Sequence, residues 1–295
     1  MCVCRCKPRY ETSLTDRQWA VIAPLLPVRD PRSGGRPLKY DRRLILDTIL
    51  YVLRTGCAWR HVPRDLAPWD AAYRWFAAWT TDGTWHRVHQ ALRDQLRERD
   101  GRNRQPTAAV LDFQSAKSAE GGEEIGYDAG KRVRGRKRHL LVDTDGLVLH
   151  RVVHAAGVQD RAGARRVLHG LHEQFPALEL IWVDGGYVNV VDGGLLDWAQ
   201  RTEHLHLVVV PRNADVRGFQ VLPRRWVVER TFGWLARCRR LARDYERTTA
   251  HAEAMIDVAM IRLMAARLAD EDIEPQGPIE TEAARRLAED LKQNQ

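Results

Sequence analysis

Two short apolar runs, each closed by an aspartate, constrain this chain more than any other feature. AAVL at 108–111 ends in Asp112, and the run over 178–183, finishing LIWV, ends in Asp184. Such runs read as buried strands. Around them the hydrophobic period keeps changing. His139–Val142 and Val148–His154 are β-rich and flank the turn dipeptide Asp145-Gly146. Helical periodicity covers 161–174, 195–201, 224–242 and 250–269, and Leu205–Val210 reads as one more strand. Three strands followed by helix, strand, helix, strand and helix predict a mixed sheet with helices on its faces, an α/β region over 108–269.

The first hundred residues read differently. Thr15 is placed to cap a helix through Trp19, Val21 and Ile22 that Pro24 and Pro27 close. Asp41 opens a second, with Leu44, Ile45, Ile49, Leu50 and Leu53 at helical spacing and Gly56 as its stop. A third runs from Pro68 to Trp79, and a fourth from about Thr84 to Glu98. Helices joined by short turns suit a helix-turn-helix, with 68–79 as the recognition helix offering Tyr73 and Arg74. A plain helical bundle explains the same periodicity, and Trp19, Trp59, Trp69 and Trp79 fit its core. The expected organisation is a disordered start (1–13), an all-helical region (14–98), a polar linker (99–107), the α/β region (108–269) and an acidic tail (270–295). The strand and helix order of the α/β region is that of a ribonuclease-H-like domain.

Charge supports a polyanionic partner. The chain has 295 residues, 44% of them hydrophobic, and a net charge of +8. Eight acidic and three basic residues fall after Ala269, a net of −5, so residues 1–269 carry +13. That excess favours DNA, although an inert basic surface has the same composition. No apolar run is long enough to span a membrane and Met1–Tyr10 lacks the core of a signal peptide, so a cytoplasmic protein is expected. Cys57 and Cys238 read as small buried hydrophobes. Cys2, Cys4 and Cys6 have no partner cluster that would make a zinc site.

Carboxylates at strand ends face the crevice where α/β sheets bind ligands. With Glu229 on the 224–242 helix, Asp112 and Asp184 form a set able to hold Mg²⁺ through hard oxygen ligands. Two such ions serve in-line displacement at phosphorus. The plainer reading also stands: an aspartate after a strand caps a turn, as Asp143, Asp145 and Asp160 are read, and a helical glutamate among arginines makes a surface pair. Residues 131–139, KRVRGRKRH, hold Lys131, Arg132, Arg134, Arg136, Lys137 and Arg138. On a strand the four arginines share one face, and such a row would hold DNA phosphates. A solvated loop is the alternative. Tyr127 and Tyr187 are weaker candidates for a covalent nucleophile. The histidines show no zinc-type pairing with cysteine.

Longer segments carry a resemblance. GGRPLKYDRRLILDTILYVLRTGCAWRHVPRDLAPW (34–69), YRWFAAWTTDGTW (73–85), LDFQSAKSAEGGEEIGYDAGKRVRGRKRHLLVDTDG (111–146), WVDGGY (182–187) and PRRWVVERTFGWLARCRRLARDYE (223–246) stand in order along the chain. From about Leu14 to Leu268 it resembles DDE transposases of bacterial insertion sequences, family five of the four/five superfamily. The resemblance implies a helical DNA-end-binding region and a ribonuclease-H-like catalytic domain. It also implies catalytic and metal-binding roles for Asp112, Asp184 and Glu229, and two Mg²⁺ ions that Mn²⁺ replaces. The implied partner is double-stranded DNA, the expected assembly a homodimer. The alternatives are an end-binding remnant that no longer cuts, or a nuclease of the same fold that does not join strands. The superfamily often places a Tyr seven residues before the glutamate, an Arg four before and a Lys seven after; here these are Leu222, Arg225 and Ala236. Arg225 keeps the pattern, and Arg237 or Arg239 stands near the later cation.

Overall fold

The computed structural model describes residues 10–28, 39–119, 121–187, 194–210 and 224–271. Within residues 10–99 the long elements are the helices α1 (Asp16–Ile22), α2 (Arg42–Thr55), α3 (Trp69–Thr81) and α4 (Thr84–Arg99). Thr15 caps α1 in a reciprocal capping box with Gln18, and Gly56 ends α2 in the left-handed conformation at φ +71°. Asp41 stands at the start of α2 without a side-chain capping bond. The basic loop at 29–37, the Cys2–Cys6 run and the tail beyond Glu271 lie outside the described residues.

Among the described residues a mixed six-stranded sheet follows: β1 (Ala108–Lys117), β2 (Gly126–Asp128), β3 (Val133–Asp143), β4 (Val148–Ala155), β5 (Leu180–Val183) and β6 (His206–Val209). β1 and β4 flank β3 antiparallel, β5 runs parallel to β1, and β6 runs parallel to β5. Short β2 continues the β4 edge of β3. This mixed sheet agrees with a ribonuclease-H-like domain. The remaining helices are α5 (Asp160–Leu168), α6 (Leu171–Gln174), α7 (Leu195–Thr202), α8 (Trp226–Ala236), α9 (Arg239–Ala242) and α10 (Thr249–Leu268).

Several expected boundaries shift. β1 continues to Lys117, so Asp112 lies inside a strand rather than at its end. The helix expected over 161–174 breaks at Gly170, which takes φ +66°. The one expected over 224–242 splits into α8 and α9.

Two apolar clusters hold the sheet. One face packs Ala109, Leu111 and Ile181 against α5 and α7 through Val167, Leu168 and Ala199. The other packs Val110, Leu140 and Val148 into a cluster shared with Phe76, Leu92 and Leu96 of the early helices and with Met255, Ile256 and Met260 of α10. The helical region is therefore built onto the sheet, with α10 between them. Connector 99–107 is pinned: Arg102 pairs with Asp145, and the Thr107 carbonyl accepts from Glu179 and Leu180 amides. Arg97 pairs with the buried Asp143, whose Oδ1 also accepts from the Asp145 and Leu147 amides, so Asp143 is the turn-forming aspartate its sequence suggests.

Candidate active site

The parallel register brings the two aspartates together. Val110 pairs with Trp182, so two residues further along each strand Asp112 comes beside Asp184, where β5 has ended. Asp112 Oδ1 accepts from the Phe113 amide at 2.7 Å, and Asp184 Oδ1 accepts from the Gly186 amide at 2.9 Å. Each carboxylate is thus aimed by its own local backbone.

One guanidinium bridges them. Arg225, which precedes α8 and is 8% exposed, places Nη2 3.3 Å from Asp112 Oδ2 and 3.8 Å from Asp184 Oδ2. Burial pushes the Asp112 carboxyl up to about 6; Arg225 and the Phe113 amide pull it down, and Asp184 pushes it further up. Beneath the pair lies Tyr187, fully buried, its hydroxyl without a described partner. Burial and then the two aspartates hold that hydroxyl well above its usual range. It stays protonated there, which removes it as a ready nucleophile.

Glu229 stands four residues after Arg225, half-buried in the first turn of α8, and so shares the helix face that carries Arg225. Among the described residues no three His, Cys, Asp or Glu side chains gather to hold a metal ion. Asp112 and Asp184 are brought together; Glu229 is not joined to them. The donor chemistry of the aspartate pair nonetheless fits a hard divalent cation: two carboxylates converge on one guanidinium, and each keeps oxygen lone pairs for a further ligand.

A family model described as a transposase of the IS4/5 family matches residues 14–89, and the transposase DDE domain matches residues 82–264. The chain belongs to the IS4/5-family DDE transposases. It is also 32% identical over 117 residues to the uncharacterized 16.2 kDa protein of insertion element IS402 from Burkholderia cepacia, a match covering 38% of this chain and 78% of that protein. No solved structure matches. The DDE match spans the sheet, both aspartates and Glu229, and DDE domains are metal-dependent. No helix among the described residues is long and apolar enough to cross a membrane.

The basic stretch of this transposase requires a correction. Arg136 and Arg138 do share a sheet face, as alternation predicts, but that face is covered. Arg136 is 0% exposed, pairs with Asp244 at 3.0 Å and donates to the carbonyls of Glu123, Glu246 and Arg247. Arg138 is 1% exposed and donates to the carbonyls of Leu241 and Arg243. Lys137, on the opposite face, pairs with Asp160 at 2.6 Å. These three side chains staple internal segments and present no row to DNA. Lys131, Arg132 and Arg134 remain exposed, Lys131 with its ammonium 3.9 Å from the centre of the Phe113 ring.

The other sequence candidates scatter. Tyr73 is half-buried and packs edge-on to Trp59 and His251 against the helical cluster. Arg74 is exposed and pairs with Asp70 one turn earlier. Trp79 is buried as expected, whereas Trp69 is 37% exposed with Arg60 over its ring. Arg237 lines a cavity with Trp234 and Arg262, and Arg239 opens α9 at the surface. Cys238 is buried and Cys57 half-buried.

Proposed function

We propose that this chain binds the terminal inverted repeats of an insertion sequence and catalyses metal-dependent strand cleavage and strand transfer. The observation that carries the reading is the side-by-side placement of Asp112 and Asp184 on one guanidinium. Asp112 and Asp184 are the ligands of the metal, and Glu229 completes the set from the helix face it shares with Arg225. A bound pair of Mg²⁺ ions supplies charge stabilisation on both oxygens of an in-line displacement at phosphorus. The chain's residues do the rest. Arg225 balances the carboxylates and stands next to where a scissile phosphate would approach. Tyr187 and the surrounding apolar side chains keep water from the far side of the pair. The helical region, with Arg74 on the surface of α3, grips the element ends, and a homodimer on DNA brings two ends to one target.

The test uses purified protein, Mg²⁺ or Mn²⁺, and labelled DNA from the ends of the element around its gene, with Asp112→Ala as control. Nicks at the element boundary and joined products that vanish in Asp112→Ala are expected. Cleavage surviving in Asp112→Ala would overturn the catalytic assignment. End binding without any cut would mean a remnant.

A further inference from the structure

Two adjoining recesses lead away from the aspartate pair. The first, about 450 Å³, starts at Gln114, two residues along β1 from Asp112, or roughly 7 Å at strand rise. The second, about 340 Å³, continues to the hairpin that joins β2 to β3. Lys117 and Arg243 line both. Arg132 and Arg134 line the far end together with Tyr127, the cross-strand partner of Arg134, which is 57% exposed. No described carboxylate lines either recess, and none of the four cations makes an ion pair with a described carboxylate.

The walls are built rather than incidental. The Arg243 side of the groove is held by the buried arginines: Arg138 bonds the Arg243 carbonyl, and Arg136 bonds Asp244 and the carbonyls of Glu246 and Arg247. Asp244 N and O in turn pair with Lys117 O and Ala119 N, laying this segment along the end of β1. The hairpin is held by Asp128, which accepts from Ser115 at 2.6 Å and from the Lys131 amide at 3.1 Å. Its tip keeps Arg132 in the left-handed region at φ +53°, where glycine or asparagine costs less.

We infer that this groove is a track for unpaired DNA strand: Lys117, Arg132, Arg134 and Arg243 take its phosphates, and Tyr127 stacks a base. Guanidiniums and ammonium hold any backbone, and an exposed aromatic face beside them offers a stacking platform to a base that has left its pair. The inference rests on the DNA-cutting reading above for its substrate class and extends it to the path of the strand beyond the cut.

The test is equilibrium binding of the full chain in EDTA, by fluorescence anisotropy. Three labelled probes serve: a blunt duplex, the same duplex with a single-stranded extension, and a single strand. The expected result is tighter binding of the two probes with unpaired bases. Tyr127→Ala should weaken those two by roughly 5- to 100-fold, with the blunt duplex unchanged and Tyr127→Phe restoring the wild-type order. Arg132→Ala with Arg134→Ala should lower the salt slope for single strand by about 1.4. Equal weakening of all three probes by Tyr127→Ala, no weakening, or no wild-type preference would overturn the track. Because no metal is present, the preference is read independently of cleavage: end-specific cutting with Tyr127-independent binding sinks the track alone, and the reverse result sinks the catalytic reading alone.

Discussion

Gly163 shows how tightly single positions are set in this sheet. It lies in α5 against a stacked pair of buried histidines, His139 and His154, joined by a 2.9 Å contact between Nδ1 and Nε2. A Cβ added at Gly163 would sit 2.4 Å from His139 Cε1 and 2.5 Å from His154 Nε2. Phe113 backs the His139 ring, and both histidines are fully buried, which leaves the pair little room to yield. Gly163→Ala should cost roughly 1–3 kcal/mol by overpacking, seen as a lower urea midpoint with an unchanged slope; a neutral result would mean that α5 lifts freely off the sheet. The same scale explains what the sequence hides about the site. Asp112, Asp184 and Arg225 were legible because each lies in a long block of familiar residues. Lys117 and Arg243 were not: a strand continuing through Asp112, Gln114 and Ser115 has no apolar run to mark it, and Arg243 reaches the end of that strand only through the fold.

Among elements, the least legible was the one most strongly marked. The alternation of arginines in β3 predicts a shared face correctly, yet says nothing of what covers that face. The cover comes from 241–247, more than 100 residues later, and only the fold brings its carbonyls and Asp244 to Arg136. The succession of strands and helices along the chain was plain from periodicity except for short β2, while the order of strands within the sheet was not read from it. The breaks at Gly170 and at 237–238 were not plain, because packing of short segments decides them. Arg136→Met should therefore act through the distant segment. It leaves Asp244 buried without its partner, at a cost of about 3–5 kcal/mol. Hydrogen exchange should rise first over 241–247; uniform loss of protection across the sheet would contradict the staple.

Across the whole molecule, buried titratable groups pull in opposite directions as pH falls. Burial lowers His139 to about 3 and His86 and His150 to about 4, with neighbouring cations adding to the effect, and holds His89 well below its usual value. Their folded values lie under the unfolded value near 6.5, so the stability they carry is present above that pH and is lost as pH drops through 6.5 toward 3–4. At pH 5, His139 and His150 each contribute a loss on the order of 2 kcal/mol. Asp257, pushed up to about 7 by burial against the pull of Arg151, and Asp112, at about 6, act with the reverse sign and gain as pH falls from those values toward 4. The histidines are the larger set, so the melting temperature should fall between pH 6.5 and pH 4.5. A rise over that interval would mean that the carboxylates dominate.

Helix α10 carries a consequence for how the chain is made. It packs on α1, α2, α3 and α4 on one side and on β4 on the other, yet it is synthesised after all of them. On the ribosome the apolar faces of the first four helices wait, uncovered, through some 150 residues of translation until Thr249–Leu268 emerges. The region expected to hold DNA ends is thus completed by the last of the described helices to be made.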